Sequence, residues 1–236
     1  MTWRWVIFFS ALPLFSADVS GHVNLLHSHV AAVRKKLDYS GVVISLKPVG
    51  DVAAVSRPAV PLARMVQKNK TFMPHVLAIQ VGASIEFPNL DPIFHSAFSN
   101  YNGQLFDLAL YPPGSTRTVR FRREGIVRVF CNIHSSMSAV IVVLGTPYFA
   151  TTRRDGSFEI PNVPPGEYRL DVFHERATEA TLEALERRVT VGNAPLELPM
   201  MTISEAGFLT IPHKNKYGRD YPAQPDDHSI YPAVRN

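Results

Sequence analysis

The chain has 236 residues, and its 24 Lys and Arg against 20 Asp and Glu leave a net charge of only +4. This is no polyelectrolyte, and its arginines lack interleaved exposed aromatics, which together argue against nucleic acid as a partner. Its single cysteine, Cys131, excludes an internal disulfide.

In chain order, the first element is Met1 to Ala17, with a basic start at Arg4, an apolar core from Trp5 to Phe15 and a small residue at Ala17. It reads as a secretory signal peptide whose apolar core is too short to span a bilayer. Its removal takes away Arg4 and leaves 23 basic against 20 acidic residues, a net of about +3. The mature chain is therefore expected in the periplasm or outside the cell, and peripheral contact with a membrane is compatible with that. Residues 18–56 hold two strand-like stretches, Val19 to Leu25 and Ser40 to Val49. His22, His27 and His29 lie near the mature N-terminus, in a segment expected to be mobile and to bind no metal.

Residues 57–145 carry the chemistry. Val76 to Asn89 reads as two strands broken at Gly82, with Leu77, Ile79 and Val81 and then Ile85 and Phe87 on one parity. His95 follows in a loop rich in Pro, Asn and Asp. Arg117, Arg120, Arg122, Arg123 and Arg128 concentrate positive charge ahead of the cysteine. The even-numbered Arg120, Arg122 and Arg128 face away from Val119 and Phe121, as a solvated strand face or as a docking surface for an acidic partner. Residues 126–131 alternate so that Val127, Val129 and Cys131 share a face, and residues 138–144 form the next strand.

Between those two strands lies the run Cys-Asn-Ile-His-Ser-Ser-Met, with a thiol, an imidazole and a thioether at Cys131, His134 and Met137. Such soft donors suit a copper electron-transfer centre, in which one Cys and two His form a trigonal plane with a long axial Met. The second histidine must come from elsewhere, and His95 is the best candidate. Ligation also removes the liability of a free thiol in an oxidising compartment.

Residues 146–202 change character. A turn at Arg154 to Gly156, the run Ser157 to Ile160, the loop Asn162 to Gly166 and the alternating Tyr168, Leu170 and Val172 read as hairpins of a second, smaller sandwich. Only four or five strands are visible there, where a sandwich needs about seven. Two alternatives stand: residues 18–56 complete this second sandwich, or they begin the first one. Residues 175–188 read as a loop with one helical turn. Residues 203–236 form a polar, Pro-rich tail that either wraps the surface or is disordered. His75 and His174 are expected in partly buried structural roles, and His213 and His228 belong to the tail.

The stretch Phe72-Met-Pro-His, the segment Val-Gly-Ala-Ser-Ile-Glu-Phe-Pro-Asn-Leu-Asp, His95 six residues after Asn89, and the cysteine loop together resemble the cupredoxins over about residues 68–145. The short Cys131–His134–Met137 spacing is similar to the ligand loop of amicyanin, and the stretch is similar to the plastocyanin-like proteins labelled methylamine utilisation proteins. Residues 146–202 resemble the carboxypeptidase-regulatory or transthyretin-like sandwich, a carbohydrate-binding-like fold. The resemblance implies an all-β chain: a Greek-key cupredoxin sandwich plus a second small β-sandwich. It also implies one type 1 copper held by His95, Cys131, His134 and Met137. Asn89, Ser96 and Asn132 would tie the ligand loops together, and His134 would be the electron exit. The expected function is a monomeric, non-enzymatic electron carrier exchanging single electrons with a redox protein. The alternative is a structural or interaction module of the cell envelope without redox turnover.

Overall fold

A computed structural model describes residues 16–50, 62–100, 103–209 and 212–222. The expected signal peptide lies almost wholly outside the described residues, as do His228 and Tyr231. In chain order the elements are β1 (Ala17–Leu26), α1 (Ala31–Lys36), β2 (Val43–Pro48), β3 (Ala63–Arg64), β4 (Val66–Lys68), β5 (Thr71–Met73), β6 (Val76–Gln80) and β7 (Ser84–Pro88). Then come β8 (His95–Ser99), β9 (Phe106–Tyr111), β10 (Thr116–Arg120), β11 (Gly125–Phe130), β12 (Ser138–Leu144) and β13 (Phe149–Thr151). Last are β14 (Ser157–Val163), β15 (Gly166–Phe173), α2 (Glu179–Glu183), β16 (Arg187–Val191), β17 (Leu196–Glu197) and β18 (Met201–Ser204). The described chain is nearly all β, as expected, and α2 is the single helical turn read between residues 175 and 188.

One sandwich is built from both ends of the chain. In its first sheet β1 runs between β14, antiparallel, and β17 and β18, both parallel to it. Its second sheet has the order β13-β2-β15-β16. The segment expected to be mobile is thus the centre of a sheet. Ala17, Val19, Val23 and Leu25 all point into the core, which is the period of two that a half-buried strand requires. His22 stays on the solvent side, and His27 Nδ1 meets Ser204 Oγ at 2.9 Å.

The turn at Gly156 ties this sheet together. Val23 N–H donates to Gly156 O at 2.9 Å, Gly156 has φ +83°, and a Cβ there would lie 2.1 Å from Val23 O. Gly156→Ala combines a left-handed backbone with a backbone clash. It is expected to destabilise the protein by about 2–4 kcal/mol, a fall of roughly 5–15 °C in a thermal melt followed by circular dichroism. An unchanged melting temperature would contradict this account.

The other sandwich has a five-stranded sheet, β6-β12-β11-β8-β9, facing a three-stranded one, β10-β7-β3, with the β4-β5 ribbon beside them. Between the sheets lie Phe72, Ile85, Phe87, Tyr111, Phe121, Val127, Val129 and Ile141, together with Cys131 and Met137. β12 explains its own composition. Ala139, Ile141 and Val143 fill this core, while Val140 and Val142 on the opposite face pack with Val76 and with Val43 of β2. Burial on both faces produces a continuous apolar run in place of alternation.

A charged contact also joins the two sandwiches. His75 Nε2 lies 2.8 Å from Glu175 Oε2, and His75 Nδ1 lies 3.1 Å from the carbonyl of Ser138. The hydrogen bond to Glu175 raises the His75 pKa above its ordinary value of 6.5. Burial pushes the Glu175 carboxyl up, but His75 and then Arg176 outweigh it and hold the group below 4.5. The raised His75 stabilises fully below pH 6.5 and loses its contribution as pH rises through its folded value. Glu175 contributes fully above pH 4.5 and loses it as pH falls through its lowered value. The melting-temperature gap between wild type and His75→Gln should therefore be widest near pH 5.5 and should narrow towards pH 8.5. A gap independent of pH in that interval would rule the pairing out.

Candidate metal centre

Cys131 follows the last residue of β11, and Ser138 opens β12, so the loop between them is closed by paired strands on both sides. Inside it Cys131 N–H donates to Met137 O at 3.1 Å and Met137 N–H donates to His134 O at 3.1 Å. The three side chains are buried, with Cys131 and Met137 fully so and His134 at 6% exposure. The exit histidine of the sequence reading is therefore nearly covered.

His95 comes from the neighbouring strand. It is the first residue of β8 and fully buried, where the sequence had placed it in a loop. Its Nδ1 lies 3.1 Å from His134 Nδ1, and Cys131 Sγ lies 3.9 Å and 3.6 Å from those two nitrogens. Metal bonds of about 2.0 to 2.3 Å in a trigonal plane would set donor separations of roughly 3.5–3.7 Å. One cation thus fits between the three atoms. Among the described residues they form one buried group able to hold a metal ion. Met137 is buried in the same cluster as Cys131.

The sequence missed what orients His95. Asp91 Oδ2 lies 2.7 Å from His95 Nε2. Because an ionised carboxylate can only accept, Nε2 carries the proton and Nδ1 turns its lone pair towards Cys131 and His134. Asp91 also accepts the backbone N–H groups of Asn69 at 2.6 Å and Lys70 at 2.9 Å. Burial pushes the Asp91 carboxyl up, but these hydrogen bonds together hold it below its ordinary value. Asn89 in turn accepts from Asp91 N at 3.1 Å and donates to Ile93 O at 2.8 Å. A carboxylate four residues before a ligand histidine was the signal that could have revealed Asp91.

Ser96 and Asn132 do link the two segments. Asn132 N–H donates to Ser96 Oγ at 2.8 Å, and that oxygen lies 3.7 Å from Cys131 Sγ. The thiol itself is strongly perturbed. Burial pushes it up, yet the neighbouring imidazoles of His134 and then His95, with backbone contributions at Ser96 and Ile133, bring it down to about 5. At neutral pH it is a thiolate, the form that binds metal. His95 is destabilised as a cation by burial, but its neighbours Cys131 and Asp91 raise its pKa overall.

The arginines are not part of this site. Arg120, Arg122 and Arg128 are exposed. Arg120 pairs with Ser84, at the end of β7 remote from Asn89, and donates to Gly82 O at 3.1 Å.

The tail does reach the site. His213 stacks on Phe130 with ring centroids 4.0 Å apart, Lys216 N–H donates to Asn132 Oδ1 at 3.0 Å, and Tyr221 donates to Cys131 O at 2.8 Å. Sequence offered no signal for these contacts, because the partners lie 84 and 90 residues apart in the two hydrogen bonds.

No family model and no curated protein matches the chain. Among solved structures it is similar to the Cu-containing nitrite reductase (NirK) from Thermus scotoductus SA-01, at 26% identity over 42% of this chain, with a TM-score of 0.34. That likeness spans only 25% of the reductase. It is also similar to the novel purple cupredoxin from Nitrosopumilus maritimus, at 24% identity over 35% of this chain and 99% of that one, TM-score 0.33. The reduced state of a proline-to-phenylalanine mutant of amicyanin matches at 14% identity over 40% of this chain and 100% of that one, TM-score 0.33.

Proposed function

We propose that this chain is an exported, cupredoxin-like carrier of single electrons, in which His95, Cys131, His134 and Met137 would hold one type 1 copper. The observation that supports this is the convergence of His95 Nδ1, His134 Nδ1 and Cys131 Sγ in a buried pocket. Copper bound there would supply a one-electron couple between its cuprous and cupric states. The rest is the work of the residues. Asp91 fixes the ring plane and tautomer of His95. The paired strand ends and the Ser96–Asn132 bond hold Cys131 and His134 in one arrangement, so little reorganisation opposes electron transfer. Burial keeps water from the thiolate. Export is supported by the pattern of Met1 to Ala17, and the partner is a redox protein.

The test is a copper titration of purified protein. An intense visible sulfur-to-copper band and a reversible one-electron couple are expected at one copper per chain. A colourless, redox-silent protein would falsify the carrier reading and favour an envelope interaction module.

A further inference from the structure

We infer that residues 212–222 form a strap that positions the ligand loop, with Tyr221 as its main positioning residue. Its redox consequence rests on the copper reading; its effect on Cys131 does not.

The strap touches three consecutive residues. At Phe130, the last residue of β11, the His213 ring stacks at 4.0 Å with planes 20° apart, and Phe130 is 6% exposed. At Cys131, the Tyr221 hydroxyl donates to the backbone carbonyl at 2.8 Å. At Asn132, the side-chain oxygen accepts Lys216 N–H at 3.0 Å. The strap is itself organised. Tyr221 meets the His213 ring edge-on at 5.2 Å, Asn215 N–H donates to Arg219 O at 2.9 Å, and Lys216 Nζ reaches Asp107 Oδ2 at 2.9 Å, at the start of β9.

Placement gives these contacts their meaning. Asn132 N–H is held by Ser96, beside His95, while its side chain is held by the strap. The Cys131 N–H is held by Met137 O, while its carbonyl is held by Tyr221. The two residues that join the thiolate to the His95 segment are therefore clamped from inside by the sandwich and from outside by the strap. A loop clamped on both sides keeps one thiolate position, which is what a site with a single geometry in two oxidation states needs.

The test uses full-length Tyr221→Phe, which removes one hydroxyl and keeps the ring, and His213→Ala, which removes the stack. Tyr217→Phe serves as control, since Tyr217 is 69% exposed. In metal-free protein, alkylation of Cys131 by iodoacetamide should quicken roughly fivefold in Tyr221→Phe, the effect of one lost hydrogen bond on a local opening equilibrium. His213→Ala should quicken it further, and Tyr217→Phe should match wild type. Loaded with copper, Tyr221→Phe should shift the reduction potential and the visible band while melting with wild type. Alkylation at the wild-type rate in both strap variants overturns the inference. Faster alkylation with an unmoved potential makes the strap a mere cover, which overturns the positioning role. If wild type binds no copper, the carrier reading fails, and the alkylation rates still decide for or against the strap.

Discussion

Cys131→Ser should show none of the intense visible absorption of the copper-loaded wild type, and its copper affinity should fall by more than the roughly 10- to 100-fold that follows loss of an outer hydrogen-bond partner. The side chains are nearly isosteric, so the buried core should persist. What changes is the donor: a thiol whose pKa, against burial, His134 and His95 bring down to about 5 gives way to a hydroxyl that stays protonated. Thermal melts provide a readout independent of colour. A metal that binds only the folded state raises the melting temperature by mass action, so added copper should stabilise wild type and leave Cys131→Ser near its metal-free value. If the proposed copper site holds, Met137→Gln should differ, keeping a coloured centre while its potential moves, because a weak thioether donor would tune such a site and not build it. Equal colour in wild type and Cys131→Ser would remove the thiolate from the centre.

Asp91→Ala should weaken copper binding by about 10- to 100-fold and destabilise the metal-free protein by roughly 2–5 kcal/mol. The carboxylate receives three donors, from His95 Nε2, Asn69 and Lys70, and His95 is fully buried. Deleting it leaves a buried imidazole N–H without an acceptor and frees the ring to turn or to exchange tautomers. Asp91→Asn, which keeps an acceptor, should lie between. Urea unfolding and competitive copper titration measure the two effects separately; wild-type values in both would show that Asp91 does not orient His95. The sign with pH is set by the lowered carboxyl. Its stabilisation is present above the ordinary value of 3.8 and is lost as pH falls through the folded value.

The parts of the site legible in the sequence were those written within a few residues. Cys131, His134 and Met137 occupy one loop between two strand-like runs, and the structure places Ser138 to Leu144 as the second of those strands. His95 was found through its spacing after Asn89 in a family pattern. Asp91 was missed because Asp in a Pro- and Asn-rich stretch is also ordinary turn chemistry. The sequence leaves the placement of β1 open between the two sandwiches for another reason: its partners lie far along the chain, with Ala17 facing Val163 and Val23 facing Met201. No local pattern separates a central strand from a frayed N-terminus that carries histidines. α1 was also absent from the reading. Ala, Arg and Lys favour a helix, but six residues with one buried side chain, Val33, and no side-chain cap are too few to show an apolar period.

The double burial of β12 bears on how this protein can be handled in the laboratory. A clone restricted to the sandwich that carries Cys131 would turn Val76, Val140 and Val142, together with the rim of β6, into a water-facing apolar strip beside an open sheet edge. Such a strip invites intermolecular pairing. Soluble expression of the excised unit should therefore require polar replacements at those three valines, whereas the full-length chain supplies its own cover through Val43.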